Sequence, residues 1–122
     1  MAKILIIEDE ESIREVYTQI LKESGFTIDE AKDGEEGLEK ASQGGYDLIL
    51  LDIIMPKKDG LSVLKELQTH PPIVPNKKIV MLSVLNSDQF IQSSLAMGAD
   101  GYLIKSVLTP DQVVSEVNNF LS

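Results

Sequence analysis

Tyr46-Asp47-Leu48-Ile49-Leu50-Leu51-Asp52 is the stretch that decides the fold. Residues 48–51 are all apolar, with no polar residue alternating among them. A strand with one wet face alternates; a strand apolar on both faces is covered on both sides and sits in the middle of a sheet. Tyr46–Leu51 is therefore read as a central strand, and it stops on an acid, Asp52.

Outward from that strand the pattern alternates strand and helix five times. Lys3–Ile7 is a second short apolar run, ending on Glu8 and Asp9. Ile13, Val16, Tyr17, Ile20 and Leu21 then recur at helical spacing, and Gly25 stops them. Phe26–Ala31 reads as the next strand. Asp33 followed three residues on by Glu36 marks a helix start, with Leu38 and Ala41 facing the core. After the central strand, Leu61, Val63, Leu64 and Leu67 give a third helix. Pro71, Pro72 and Pro75 exclude regular helix from the following connection. Lys78–Leu82 is the fourth strand, closed by Ser83. Asn86 to Met97 is the fourth helix, and Gly98 ends it. Gly101–Ile104 is the fifth strand, closed by Lys105. Thr109-Pro110-Asp111-Gln112 opens the last helix with a cap, a proline at the first position and a glutamine to close the box. Its buried stripe is Val113, Val114, Val117, Phe120 and Leu121. This alternation with short connections is an α/β fold, a parallel sheet with helices on both faces. Alternation alone leaves the strand order open.

The chain has 122 residues, 43% of them hydrophobic, which suits one domain with a real core. No apolar run approaches a membrane span. The apolar start is cut short at Glu8-Asp9-Glu10-Glu11, so it is a strand and not a signal peptide. Without cysteine there is no disulfide framework and no thiolate metal site, and a reducing cytoplasm is the natural setting. The net charge is -9, of which -8 falls in residues 1–61. Direct contact with nucleic acid, which needs Lys and Arg against phosphates, is not expected.

In an open parallel sheet the carboxyl ends of the strands form the ligand crevice. Glu8, Asp9, Asp52, Ser83 and Lys105 all fall there. Singly, each has an ordinary explanation: helix-dipole acids, a surface acid, a turn hydroxyl, a solvated lysine. Together, at four strand ends of one sheet edge, they describe a site for a divalent cation and a phosphoryl group. Mg²⁺ takes oxygen ligands from few carboxylates and completes its shell with water and phosphate. Asp9 and Asp52 can supply that, with Glu8 acting through water. A carboxylate can also be the nucleophile, and Asp52, at the end of the central strand, is the best placed. Lys105 and Ser83 suit two phosphoryl oxygens.

These residues carry a resemblance. Ile-Ile-Glu-Asp at 6–9, Leu-Leu-Asp-Ile-Ile-Met-Pro at 50–56 with Gly60, Met-Leu-Ser at 81–83 and Gly-Ala-Asp-Gly-Tyr-Leu-Ile-Lys at 98–105 resemble the response-regulator receiver domain of two-component signalling, across residues 1–122. The resemblance implies a flavodoxin-like (βα)5 doubly wound sheet in the order 2-1-3-4-5. It implies that Asp52 is the phosphoacceptor, with the phosphoryl group coming from a histidine kinase or a histidine phosphotransfer protein. Mg²⁺ would be held by Glu8, Asp9, Asp52 and the backbone carbonyl of Ile54. Lys105 would bind the phosphoryl group. Ser83 would be the switch hydroxyl, and Tyr102 the switch aromatic that turns inward when Ser83 moves. A downstream protein would dock on the face of the fourth helix, fifth strand and fifth helix. Such a domain is a switch with slow self-dephosphorylation, not an enzyme acting on an external substrate. A small phosphohydrolase would need a second acid two residues after the nucleophile, where this chain has Ile54. The competing reading is a pseudo-receiver that binds a partner without phosphorylation. A stand-alone regulator and the receiver of a longer protein both remain open.

Three positions and one face modulate the expectation. Ser106 stands where the family places proline, often after a cis bond; before serine that bond costs about 2.5–4 kcal/mol, so the loop is either trans or strained. Val84 stands where the family has a small residue, and its branched side chain is expected to narrow access to Asp52. Gly60 is expected to permit a tight turn into the third helix. The outer face carries Gln89, Gln92, Ser93, Ser94, Asn118 and Asn119, and residues 62–122 contain no arginine, which argues against dimerisation through a charged network there.

Overall fold

The computed structural model describes residues 2–122. Strands β1 (Lys3–Ile7), β2 (Thr27–Ala31), β3 (Leu48–Leu51), β4 (Ile79–Ser83) and β5 (Gly101–Ile104) alternate with helices α1 (Glu11–Glu23), α2 (Gly34–Gln43), α3 (Gly60–Thr69), α4 (Asp88–Ala96) and α5 (Pro110–Leu121). All neighbouring strands are parallel, in the order β2-β1-β3-β4-β5.

The period of two along each strand divides the core into halves. Ile4 and Ile6 of β1 join Leu48, Leu50, Val80 and Leu82 on one face, against Tyr17 and Leu21 of α1 and Val113 and Val117 of α5. Leu5 and Ile7 join Ile49, Leu51 and Met81 on the other, against Ala41 of α2, Val63, Leu64 and Leu67 of α3, and half-buried Phe90 of α4. Every residue of β3 is buried, as a doubly covered strand requires. At about 1.5–3 kcal/mol per large apolar side chain removed from water, these two layers are the main force fixing the sheet.

Strand ends differ from the sequence reading by one or two residues, for local reasons. β3 starts at Leu48 because the Tyr46 amide is taken by the Asn76 side chain (3.1 Å) and lies outside the ladder. β4 includes Ser83, whose carbonyl accepts the Lys105 amide at 2.8 Å and so prolongs its pairing with β5. β2 starts at Thr27, and α4 is shorter than expected at both ends. Ser94 is fully buried and gives its hydroxyl to the Phe90 carbonyl (2.8 Å), so it does not belong to the outer polar face. Among the described residues there is no cis peptide, so the Lys105–Ser106 bond is trans. No helix among them is long and apolar enough to cross a membrane.

The two helix starts marked by caps in the sequence are built as expected. Thr109 and Gln112 close a reciprocal capping box on α5. Asp33 caps α2, accepting the Glu36 amide at 2.9 Å, and Lys57 lies 3.5 Å from its other oxygen. The Glu36 amide first, and Lys57 after it, hold the Asp33 carboxyl below its ordinary value of 3.8. A carboxyl lowered by folding stabilises above its unfolded value, and that contribution is lost as pH falls through the folded one. Asp33→Ala is accordingly expected to cost about 1 kcal/mol at neutral pH in urea unfolding. The gap from wild type should close as pH drops below 3.8; a gap that persists unchanged in acid would contradict the assignment.

Candidate functional site

Four strands deliver polar groups to one edge of the sheet. β1 runs into Glu8 and Asp9, β3 into Asp52, β4 ends on Ser83, and β5 runs into Lys105. The Lys105 ammonium sits between two carboxylates, hydrogen-bonded to Glu8 Oε1 and 3.0 Å from Asp52 Oδ2. Glu8 and Asp52 are only 3% and 6% exposed. Burial alone would lower the Lys105 pKa, but the Glu8 hydrogen bond and the two negative charges outweigh it, so the ammonium is held above its ordinary value. Burial raises the Glu8 carboxyl, opposed by Lys105 and by the Glu10 amide on its second oxygen (3.1 Å).

Asp9 contrasts with its neighbour. It is exposed, and among the described residues its carboxylate has no hydrogen-bond or ion-pair partner. Oxygen atoms of Glu8, Asp9 and Asp52 lie within 4.8 Å of one another. The loop after Asp52 adds carbonyl oxygens. The Ile53 amide ties back to Asp52 Oδ1 at 2.8 Å, the Ile53 carbonyl accepts the Gly60 amide, and the Pro56 carbonyl accepts the Lys58 amide. The Ile54 and Met55 carbonyls between them receive no donor among the described residues. Hard oxygen donors of this kind, a carboxylate and loop carbonyls left unpaired, fit a Mg²⁺-sized cation.

Gly60 is not where the turn happens. It is the first residue of α3 with an ordinary helical φ, and the left-handed residue of the loop is Lys57 (φ 69°). A Cβ on Gly60 would lie 2.0 Å from the Asp52 carbonyl oxygen, so glycine is needed for close approach. Gly34 does the same for the other side of the loop: a Cβ there would lie 1.8 Å from the Lys58 carbonyl oxygen.

Ser83 is fully buried, and its hydroxyl accepts the Leu85 amide at 3.2 Å; among the described residues it makes no hydrogen bond to Asp52 or to the Lys105 ammonium. Tyr102 is half-buried, and its hydroxyl donates to the Leu85 carbonyl at 2.6 Å rather than lying free in water. Burial pushes its phenol upward. Ser83 and Tyr102 therefore hold the two ends of the same residue. Leu85 had no signal in the sequence, because its contribution is entirely main-chain. Arg14 carries no such signal either; its guanidinium donates to the Glu8 carbonyl at 2.8 Å.

The family model described as the response regulator receiver domain matches residues 4–118. The transcriptional regulatory protein DltR of Streptococcus agalactiae is 40% identical over 103 residues, which are 84% of this chain and 45% of that protein. The alkaline phosphatase synthesis transcriptional regulatory protein PhoP of Bacillus subtilis is 38% identical over 119 residues, 98% of this chain and 48% of that one. The chain thus spans about half the length of the curated relatives it matches. Of solved structures, the receiver domain of Francisella response regulator 1452 superposes with a TM-score of 0.88 at 30% identity, covering 99% of this chain and 97% of the other. The response regulator TrrA of Thermotoga maritima, in complex with Mg(2+)-BeF, gives 0.83 at 38% identity, covering 99% and 100%. Both relatives are transcriptional regulators by name. That removes support from the expectation of no nucleic-acid partner: a charge of -9 speaks only for the surface of these residues.

Gly60→Ala tests the close approach behind Asp52. Helix propensity would favour alanine by about 1 kcal/mol. The clash, at about 1–3 kcal/mol for overpacking, should win. A lower thermal midpoint is expected, with shifted amide resonances at Ile53 and Ile54; an unchanged midpoint and spectrum would show that the loop has room.

Proposed function

The chain belongs to the response regulator receiver family, and on that premise we propose that residues 1–122 act as one receiver domain switched by phosphorylation of Asp52. The observation that supports this most is the Lys105 ammonium held against Asp52 at a buried site. There a carboxylate nucleophile and a cation for the incoming charge already stand together.

The donor is a phosphohistidine on a histidine kinase or phosphotransfer protein. An Asp52 oxygen attacks phosphorus, the P–N bond breaks, and the electron pair leaves with the imidazole nitrogen. Glu8, Asp9, Asp52 and the Ile54 carbonyl would hold Mg²⁺, which when bound supplies positive charge to the phosphoryl oxygens. Lys105 keeps one arm near Asp52 and follows the charge onto a phosphoryl oxygen. The Ser83 hydroxyl leaves the Leu85 amide and donates to another. Leu85 then loses one of its two tethers, and Tyr102, on its carbonyl, responds. Added charge and new hydrogen bonds thereby bias two packings of one loop.

The output is a change in affinity for a downstream protein at the face of α4, β5 and α5. Hydrolysis of the acyl phosphate ends the signal, and no external substrate is turned over. The setting is cytoplasmic. The relatives' names extend the reading: in a longer protein carrying this domain, the output is control of transcription.

Intact-protein mass after incubation with MgCl2 and acetyl phosphate tests the proposal. One hydroxylamine-sensitive phosphoryl adduct is expected, dependent on Mg²⁺ and missing from Asp52→Ala. No adduct from this donor or from a phosphohistidine protein would point instead to a module that works without phosphorylation. Val84, 54% exposed, lines a groove with Ile13, Val16, Lys105, Ser106 and Pro110. Val84→Ala is expected to speed both formation and loss of the adduct; two unchanged rates would rule out a steric gate.

A further inference from the structure

Among the described residues no hydrogen bond or ion pair aims the Asp9 carboxylate, so its placement depends on how its backbone is held. That backbone is bracketed by two carbonyls, those of Glu8 and Glu10, and both are held by one residue. The Arg14 guanidinium donates through Nη1 to the Glu8 carbonyl at 2.8 Å, and the Arg14 amide donates to the Glu10 carbonyl at 2.9 Å. Its Nε reaches Glu30 Oε1 of β2 at 3.2 Å, anchoring the fork to the neighbouring strand. The side chain is 14% exposed, and Arg14 is the only arginine in the chain.

We propose that Arg14 is a positioning residue: its planar fork locks the Glu8–Glu10 loop to β2 and thereby points Asp9 at Asp52. The proposal rests on the reading of this edge as a Mg²⁺ and phosphoryl site. A surface ion pair with Glu30 alone would contribute little. The distinguishing feature is the arm on a main-chain carbonyl beside the acid pair. Lysine, a point charge on a flexible stem, lacks the planar fork whose separate nitrogens are fixed toward the Glu8 carbonyl and Glu30. Glutamine or lysine at this position keeps the main-chain hydrogen bond to the Glu10 carbonyl, so the loss is confined to the guanidinium.

The sign of the effect separates positioning from simple charge. Removing a cation near three carboxylates should strengthen Mg²⁺ binding by electrostatics alone. Loss of positioning should weaken it. Titration of MgCl2 into wild type, Arg14→Gln and Arg14→Lys by calorimetry reads this directly, with urea midpoints as the check on folding. Arg14→Gln is expected to weaken Mg²⁺ binding about tenfold, the scale seen when a residue supporting a metal ligand is lost. Arg14→Lys, with charge conserved, should also bind more weakly than wild type, and it decides the matter if Arg14→Gln does not fold. Wild-type affinity in Arg14→Lys, or equal or tighter binding in Arg14→Gln, overturns the role of Arg14. Wild type that neither binds Mg²⁺ nor forms the Asp52 adduct overturns the switch itself, and this inference with it.

Discussion

Lys105 shared between Glu8 and Asp52 is the interaction on which the rest of the site depends. Two carboxylates a few ångströms apart in a nearly dry crevice repel strongly, and each loses its hydration. One ammonium cannot fully neutralise two acids. The surplus negative charge favours a cation at this edge, and it is the feature the proposed Mg²⁺ and phosphoryl site would use. The same desolvation would be destabilising if the surrounding sheet were not rigid. The two apolar layers on either side of β1 and β3 supply that rigidity, because every strand that ends in a site residue is packed on both faces before it reaches the edge.

Close approach is the second constraint. The loop after Asp52 is squeezed between α2 and α3, at distances that only glycine permits at positions 34 and 60. Lys57 pairs with Asp33 and Lys58 with Glu66, so the loop is tied to both helices by charge as well as by contact. The result is a main-chain segment in which the Ile53 and Pro56 carbonyls are used while, among the described residues, those of Ile54 and Met55 receive no donor. Flexibility there would let those oxygens find donors.

Transmission, on the proposed function, would need a different property, a segment with two tethers of modest strength. Leu85 has them, one from the Ser83 hydroxyl and one to the Tyr102 hydroxyl. The segment is short, and Val84 and Asn86 on either side of Leu85 are exposed, while Leu85 itself is half-buried against the core. Its two tethers are hydrogen bonds worth about 0.5–1.5 kcal/mol each. On the proposed function, a charged group bonded to Ser83 would compete with them.

The alternating pattern, the doubly covered strand at residues 48–51 and the polar residues at strand ends were legible in the sequence, because periodicity reports burial and strand ends in a parallel sheet share one edge. The caps at Asp33 and Thr109 were legible too, since their hydrogen bonds close within four residues. Strand order came from resemblance, because alternation is the same for every order. What only the tertiary structure decided are contacts without a local signature. Gly60 serves close approach and not a turn, Ser94 faces inward, Tyr102 binds a main-chain carbonyl, and Arg14 reaches across to Glu30. Each depends on a partner distant in sequence or on a backbone atom that every residue possesses. Side-chain identity announces a capacity for chemistry; only the packed chain decides which atom that capacity meets.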